Sequence, residues 1–243
     1  MKIQLSFSVK IKLKKMMMLK TIKPILIFLM IFGFGMPFTI IPSLHFFYGQ
    51  ASVIYLVLAL GVMLYFSKGN LTIYGFRRVR FKTILIALLV AFIYALICSI
   101  IQNKYIRISR GGSFEYIPMY LLIVVNLIIA PIAEELITRG YLQTSLSHLS
   151  HFGVRFFKIS INLPIVISAL LFAFGHVGLL KSGVNSWYVF YTVVFAFFQG
   201  IISGYFKEKS GSIYPSILIH SFSNFLSPFF LFVLTRYALF LIL

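Results

Sequence analysis

The chain has 243 residues, 60% of them hydrophobic and only 11% charged, with a mean hydropathy of +1.01 and a net charge of +18. Soluble domains are typically about 45–50% apolar and about 25% charged, so a water-soluble globule with a polar shell is excluded. The apolar runs are long and continuous, which also excludes a transmembrane barrel, whose strands alternate over about ten residues. The expectation is an all-α fold, a polytopic membrane helical bundle, because helices satisfy their own backbone in lipid.

Residues 1–23 hold seven Lys and no acid. Apolar residues fall on odd positions from Ile3 to Leu13, which is strand spacing, but no partner strand is in view. The segment reads as a disordered basic tail lying on the membrane, and Met16, Met17 and Met18 offer later starts. It is a poor signal peptide, because a long apolar stretch follows without a small-residue cleavage site.

Spans of about twenty apolar residues are expected next. They fall near 24–43, 51–66, 83–102, 116–137, 162–180, 187–206, 212–226 and 228–243, giving seven or eight transmembrane helices. The segments assigned inside (1–23, 67–82, 146–160 and 207–211) hold 16 Lys and Arg, and those assigned outside hold 4. This asymmetry predicts a cytoplasmic N-terminus. The charge thus sets topology beside anionic lipid, and no nucleic-acid partner is expected. The loop GFRRVRFK at 75–82 reads mainly as a topology signal, with anionic-lipid recognition as a second role. His148 and His151, in HLSH, have a spacing open to a metal, but a solvated loop pair is the simpler reading. Cys98 reads as a small packing residue and forms no internal disulfide, being the one cysteine.

There are four carboxylates and no Asp, and Glu134 and Glu135 stand side by side in an apolar run. An ionisable side chain near the bilayer centre costs roughly 2.5–3.5 kcal/mol on insertion scales and usually marks a working site. Glu135 and Arg139 share a helix face, acid first. Glu134 points about 100° away and is left without a sequence-local cation, which suits proton transfer. Further on, Phe172 and His176 share a face, with Gly175 permitting close approach by another helix. His220 and Asn224 share another and can present N–H donors to one oxyanion. Each set also has a bland reading, as helix-packing polar groups. Ala196, Gly200 and Gly204 form a small-residue stripe for tight helix contact.

Taken together, EELITR (134–139), FAFGH (172–176) and HSFSN (220–224) resemble the CPBP intramembrane proteases, also called the Abi or type II CAAX prenyl endopeptidase family. That family places E-E-x-x-x-R, F-x-x-x-H and H-x-x-x-N/D on successive membrane helices. The likeness covers 116–226, so the chain divides into a basic tail (1–23), N-terminal membrane helices (24–115), a catalytic core (116–226) and a C-terminal membrane helix (227–243). Thr138 departs from the aromatic residue often found before the Arg and is expected to touch neither proposed catalyst.

The resemblance implies that Glu134 and His176 activate water, that His220 and Asn224 hold the oxyanion, and that Glu135, Arg139 and Phe172 support them. It leaves metal use open. A metal-free site with no cofactor is preferred, the alternative being Zn on Glu134, His176 and His220, since H-E-x-x-H is absent. The implied activity is intramembrane endopeptidase action on a peptide or membrane-protein substrate. The Ile-, Lys- and Phe-rich composition suggests a bacterial plasma membrane and precursors such as bacteriocins or pheromones. Two other readings stay open, a non-catalytic bacteriocin-immunity or regulatory membrane protein and a proton-coupled transporter.

Overall fold

The computed structural model describes residues 7–40, 50–105, 119–182 and 184–240. Helices α1 (Phe7–Ile40) and α2 (Gln50–Ser67) precede a 3₁₀ turn at Leu71–Tyr74 and helix α3 (Phe81–Tyr105). A continuous helical run follows, made of α4 (Met119–Val124), a π-turn (Val125–Ile129), α5 (Ala130–Glu135) and a second π-segment (Leu136–Gln143). Strands β1 (Gly153–Phe156) and β2 (Ile159–Asn162) lead to α6 (Leu163–Gly175), a 3₁₀ segment (His176–Ser182), α7 (Ser186–Ser210) and α8 (Tyr214–Phe240). The all-α membrane bundle stands, with one small hairpin added.

The count of spans differs from the expected seven or eight. Among the described residues, five helical segments are long and apolar enough to cross a membrane: Lys14–Gly33, Phe81–Asn103, Leu163–Leu180, Ser186–Ser210 and Tyr214–Thr235. Helix α2 adds a shorter apolar stretch, Ser52–Ser67. The runs read as two spans at 212–226 and 228–243 are one helix, α8, which continues through Pro228. Helix α1 starts within the basic segment read as a tail, and the odd-position alternation there is not used for a strand. An unpaired strand leaves its backbone groups open, whereas a helix bonds them internally. The loops placed at 44–50 and 103–115, including Glu115, lie mostly outside the described residues, as do residues 1–6 and 241–243.

Small side chains bring the helices together. On α3, Ala87, Ala91 and Ala95 recur every four residues and are fully buried. Ser99, next on that face, donates to the Ser227 carbonyl of α8 at 2.9 Å. On α7, a Cβ on Gly200 would meet Ala169 of α6, and one on Gly204 would meet Ile165, so the expected stripe does seat two helices closely. Large apolar side chains such as Tyr65, Phe81, Phe174, Trp187 and Phe232 stay exposed, as a lipid-facing surface requires. A core built on Phe28, Met63, Ile137 and Leu142 joins α1 and α2 to the second π-segment.

The hairpin pairs Gly153 with Asn162 and Phe156 with Ile159 in antiparallel register. Its signal was present in the alternation of Val154 and Phe156, then Ile159 and Ile161. Asn162 then caps α6 by accepting from the Ile165 amide. His148 and His151 precede it on this connection: His148 hydrogen-bonds Thr21 at 2.9 Å, and His151 packs on Phe152.

Candidate active site

The second π-segment, the 3₁₀ segment after α6 and helix α8 each bring a polar side chain onto the Phe172 ring of α6. The Arg139 guanidinium lies over that ring, 4.7 Å from its centroid. The His176 and His220 rings approach edge-on, with centroids at 5.0 and 5.4 Å. Phe172 is buried, so it acts as an apolar pivot that fixes three polar side chains by shape. The polar contacts run around it.

Arg139 Nη1 lies 3.2 Å from Glu135 Oε1, and both residues are fully buried. The same carboxylate oxygen is 3.0 Å from His220 Nδ1, so Glu135 joins α5 to both Arg139 and α8. His220 Nε2 then faces Glu134 Oε2 at 3.6 Å. Glu134 keeps 23% side-chain exposure, whereas Glu135 has none. One acid is locked inside the protein, and its neighbour is partly open. A Cβ on Gly200 would stand 2.8 Å from Arg139 Nη2, so glycine there makes room for the guanidinium.

Thr138 corrects an expectation. Its hydroxyl donates to the Glu134 backbone carbonyl and accepts from Arg139 Nη1, so it ties the two together. A hydroxyl at that position does what an aromatic ring could not.

His176 Nδ1 donates to the Phe172 carbonyl at 3.1 Å. That bond places the proton on Nδ1 and leaves Nε2 as the acceptor in the neutral ring. The ring lies within electrostatic reach of Glu134 and His220. Gly175 takes the close neighbour expected of it: a Cβ there would run into Phe32 of α1. Phe32 stacks on Tyr55 of α2, whose hydroxyl donates back to the Phe32 carbonyl at 3.0 Å. Tyr55 is buried and within electrostatic reach of Glu134, so the α1–α2 pair walls one side of the site.

Asn224 is placed by a defect in the opposite helix. In the π-turn, the Ala130 amide bonds the Val125 carbonyl. The Asn126 carbonyl would next need the amide of residue 131, which is Pro131 and has none. Asn224 Nδ2 fills that gap, donating to Asn126 O at 3.0 Å. Its second N–H is thereby aimed by a fixed partner. The sequence reading missed Asn126, although a proline four to five residues beyond a polar helical residue was the available signal.

Among the described residues, no three of His, Cys, Asp and Glu are gathered so as to hold a metal ion.

Residues 116–226, which contain Glu134, Glu135, Arg139, Phe172, His176, His220 and Asn224, match the family model described as type II CAAX prenyl endopeptidase Rce1-like. No curated protein and no solved structure matches the chain. The Rce1-like segment spans α4 to α8 up to Leu226 and leaves α1 to α3 outside. Its family supports intramembrane proteolysis as the general activity of this integral membrane protein.

Proposed function

We propose that the chain is an intramembrane endopeptidase that hydrolyses a peptide bond with a water activated by Glu134 and His176. The supporting observation is the asymmetry of the acid pair: buried Glu135 shares its Oε1 between Arg139 and His220, while Glu134 remains partly open beside an imidazole. A water between Glu134 and His176 Nε2 gives a proton to Glu134 as its oxygen attacks the scissile carbonyl. The carbonyl π electrons move onto oxygen. His220, held through Nδ1 by Glu135, and the second Asn224 N–H stabilise the oxyanion. When the oxyanion collapses, the C–N bond breaks and Glu134 returns the proton to the leaving amine.

Arg139, Phe172 and Thr138 act as positioning residues in this scheme. The substrate class is a peptide precursor or membrane-associated protein in the bilayer, the N-terminus is cytoplasmic, and the setting is a bacterial plasma membrane. The test uses purified protein in nanodiscs with a set of membrane-peptide substrates. Glu134→Gln and His176→Asn should each lose turnover with little change in KM. Full turnover in both variants would refute the mechanism.

A further inference from the structure

Away from the active site, the register of the β1–β2 hairpin makes it two-faced. Val154 stands opposite Ile161 and Phe156 opposite Ile159, so these four side chains share one face, while Arg155 and Ser160 pair on the other. The apolar face is largely bare among the described residues: Val154 is 74% exposed, and Phe156 and Ile159 are exposed with it. A lone two-stranded hairpin is marginal in water and needs something packed against such a face.

The turn supplies a second observation. Phe157, the first of its two residues, has φ +51°. Two-residue hairpin turns take glycine at that place, because a bulky L side chain is strained there. This chain instead sets a phenylalanine at the tip with 83% exposure, its ring meeting Phe156 edge-on. Such a ring adds little packing to the fold and a large apolar surface to the tip.

The hairpin is also held at the end of a membrane span. Asn162, the last residue of β2, caps α6, and the membrane-length run begins at Leu163. Leu170 and Phe174, further along α6, are exposed as part of the lipid-facing surface. On the connection before the hairpin, His148 hydrogen-bonds Thr21 of α1, close in sequence to Lys20 and Lys23. Residues 144–162 contain no acid, and Arg155 and Lys158 are exposed. Apolar side chains on one face, with cations on the other and at the turn, form the pattern of an element lying in an anionic headgroup layer. An extended peptide could instead add to a strand edge, but that mode works through backbone hydrogen bonds. It accounts for neither the bare apolar face nor the phenylalanine at the tip.

We propose that the β1–β2 hairpin seats its apolar face and the Phe157 tip in the headgroup–acyl boundary of an anionic leaflet, with Arg155 and Lys158 on the lipid phosphates. The proposal needs only an integral membrane protein and stands apart from the proteolytic reading.

The test uses the full chain carrying Trp187→Phe, which removes its one native tryptophan. Phe157→Trp, Val154→Trp and Arg155→Trp are each added to it and reconstituted in vesicles of phosphatidylglycerol and acyl-brominated phosphatidylcholine, with thermal melting as the check on folding. Phe157→Trp and Val154→Trp should emit to the blue of Arg155→Trp, lose emission to the bromines and resist quenching by acrylamide. Arg155→Trp should stay open to acrylamide. Should Phe157→Trp fail to fold, Val154→Trp decides. Equal acrylamide quenching at all three positions, with no loss to bromine, would show a solvated hairpin and overturn the proposal. Protection of Val154→Trp that appears only when a membrane peptide is added would assign the face to a peptide and overturn it as well. In brominated phosphatidylcholine without phosphatidylglycerol the bromine quenching should weaken; unchanged quenching would overturn the anionic headgroups as the partner.

Discussion

His220 donates from Nδ1 to Glu135 Oε1 across 3.0 Å, joining α8 to α5 at the centre of the Rce1-like segment. Because Glu135 also holds Arg139, that one contact turns the acid pair into two different groups.

Glu134→Gln and Glu135→Gln should separate activity from stability. Removing the Glu135 charge leaves buried Arg139 unpaired, a loss of about 3–5 kcal/mol. Glu134 is partly open, so its amide should keep the native melting temperature while turnover falls by roughly 10²–10⁴. Thermal melting and peptide turnover on the same preparations check this. Equal destabilisation by both variants would contradict the assignment.

Pro131→Ala should restore an amide for the Asn126 carbonyl. That amide competes with Asn224 Nδ2 and frees the carboxamide to rotate. Stability should hold or rise slightly, because proline is unfavourable inside a helix. Turnover should fall by up to roughly 10²-fold, less than deletion of an oxyanion donor, with KM little changed. A variant with native turnover would show that Asn224 needs no such anchor.

How much of this was legible in the chain depends on the range of the interaction. Glu135 with Arg139, and Phe172 with His176, are spaced one helical turn apart, so spacing alone placed them together. Glu135 with His220 is a contact between residues 85 apart, and only the resemblance brought those motifs into one site. The boundary between the last two expected spans does not hold at Pro228, because a helix packed along α3 continues through a proline that local rules take as a boundary. Thr138 was underrated because its hydroxyl acts on the backbone of Glu134, which residue type alone does not show.

Gly200→Ala should destabilise the fold by about 1–3 kcal/mol, the usual cost of overpacking. The added methyl meets Arg139 Nη2 at 2.8 Å and Ala169 Cα at 3.0 Å, and the second of these is backbone. Thermal melting in detergent reads the loss. Gly61→Ala, where nothing lies within 4 Å, serves as the matched control and should not destabilise.

In the metal-free scheme of Glu134 and His176, chelators should leave turnover unchanged. Activity assays before and after phenanthroline treatment and dialysis provide the check. Loss of turnover that is restored by added zinc would require the alternative set of Glu134, His176 and His220.

The central claim is that Glu134 activates the water that cuts a membrane-associated peptide. Its most direct test compares peptide termini in membranes and medium from cells expressing the native chain or Glu134→Gln at matched abundance. Peptides should accumulate uncut only in the variant, with new termini found only beside the native chain. Indistinguishable sets of termini, with the native phenotype retained, would contradict the claim and favour a non-catalytic immunity or regulatory role.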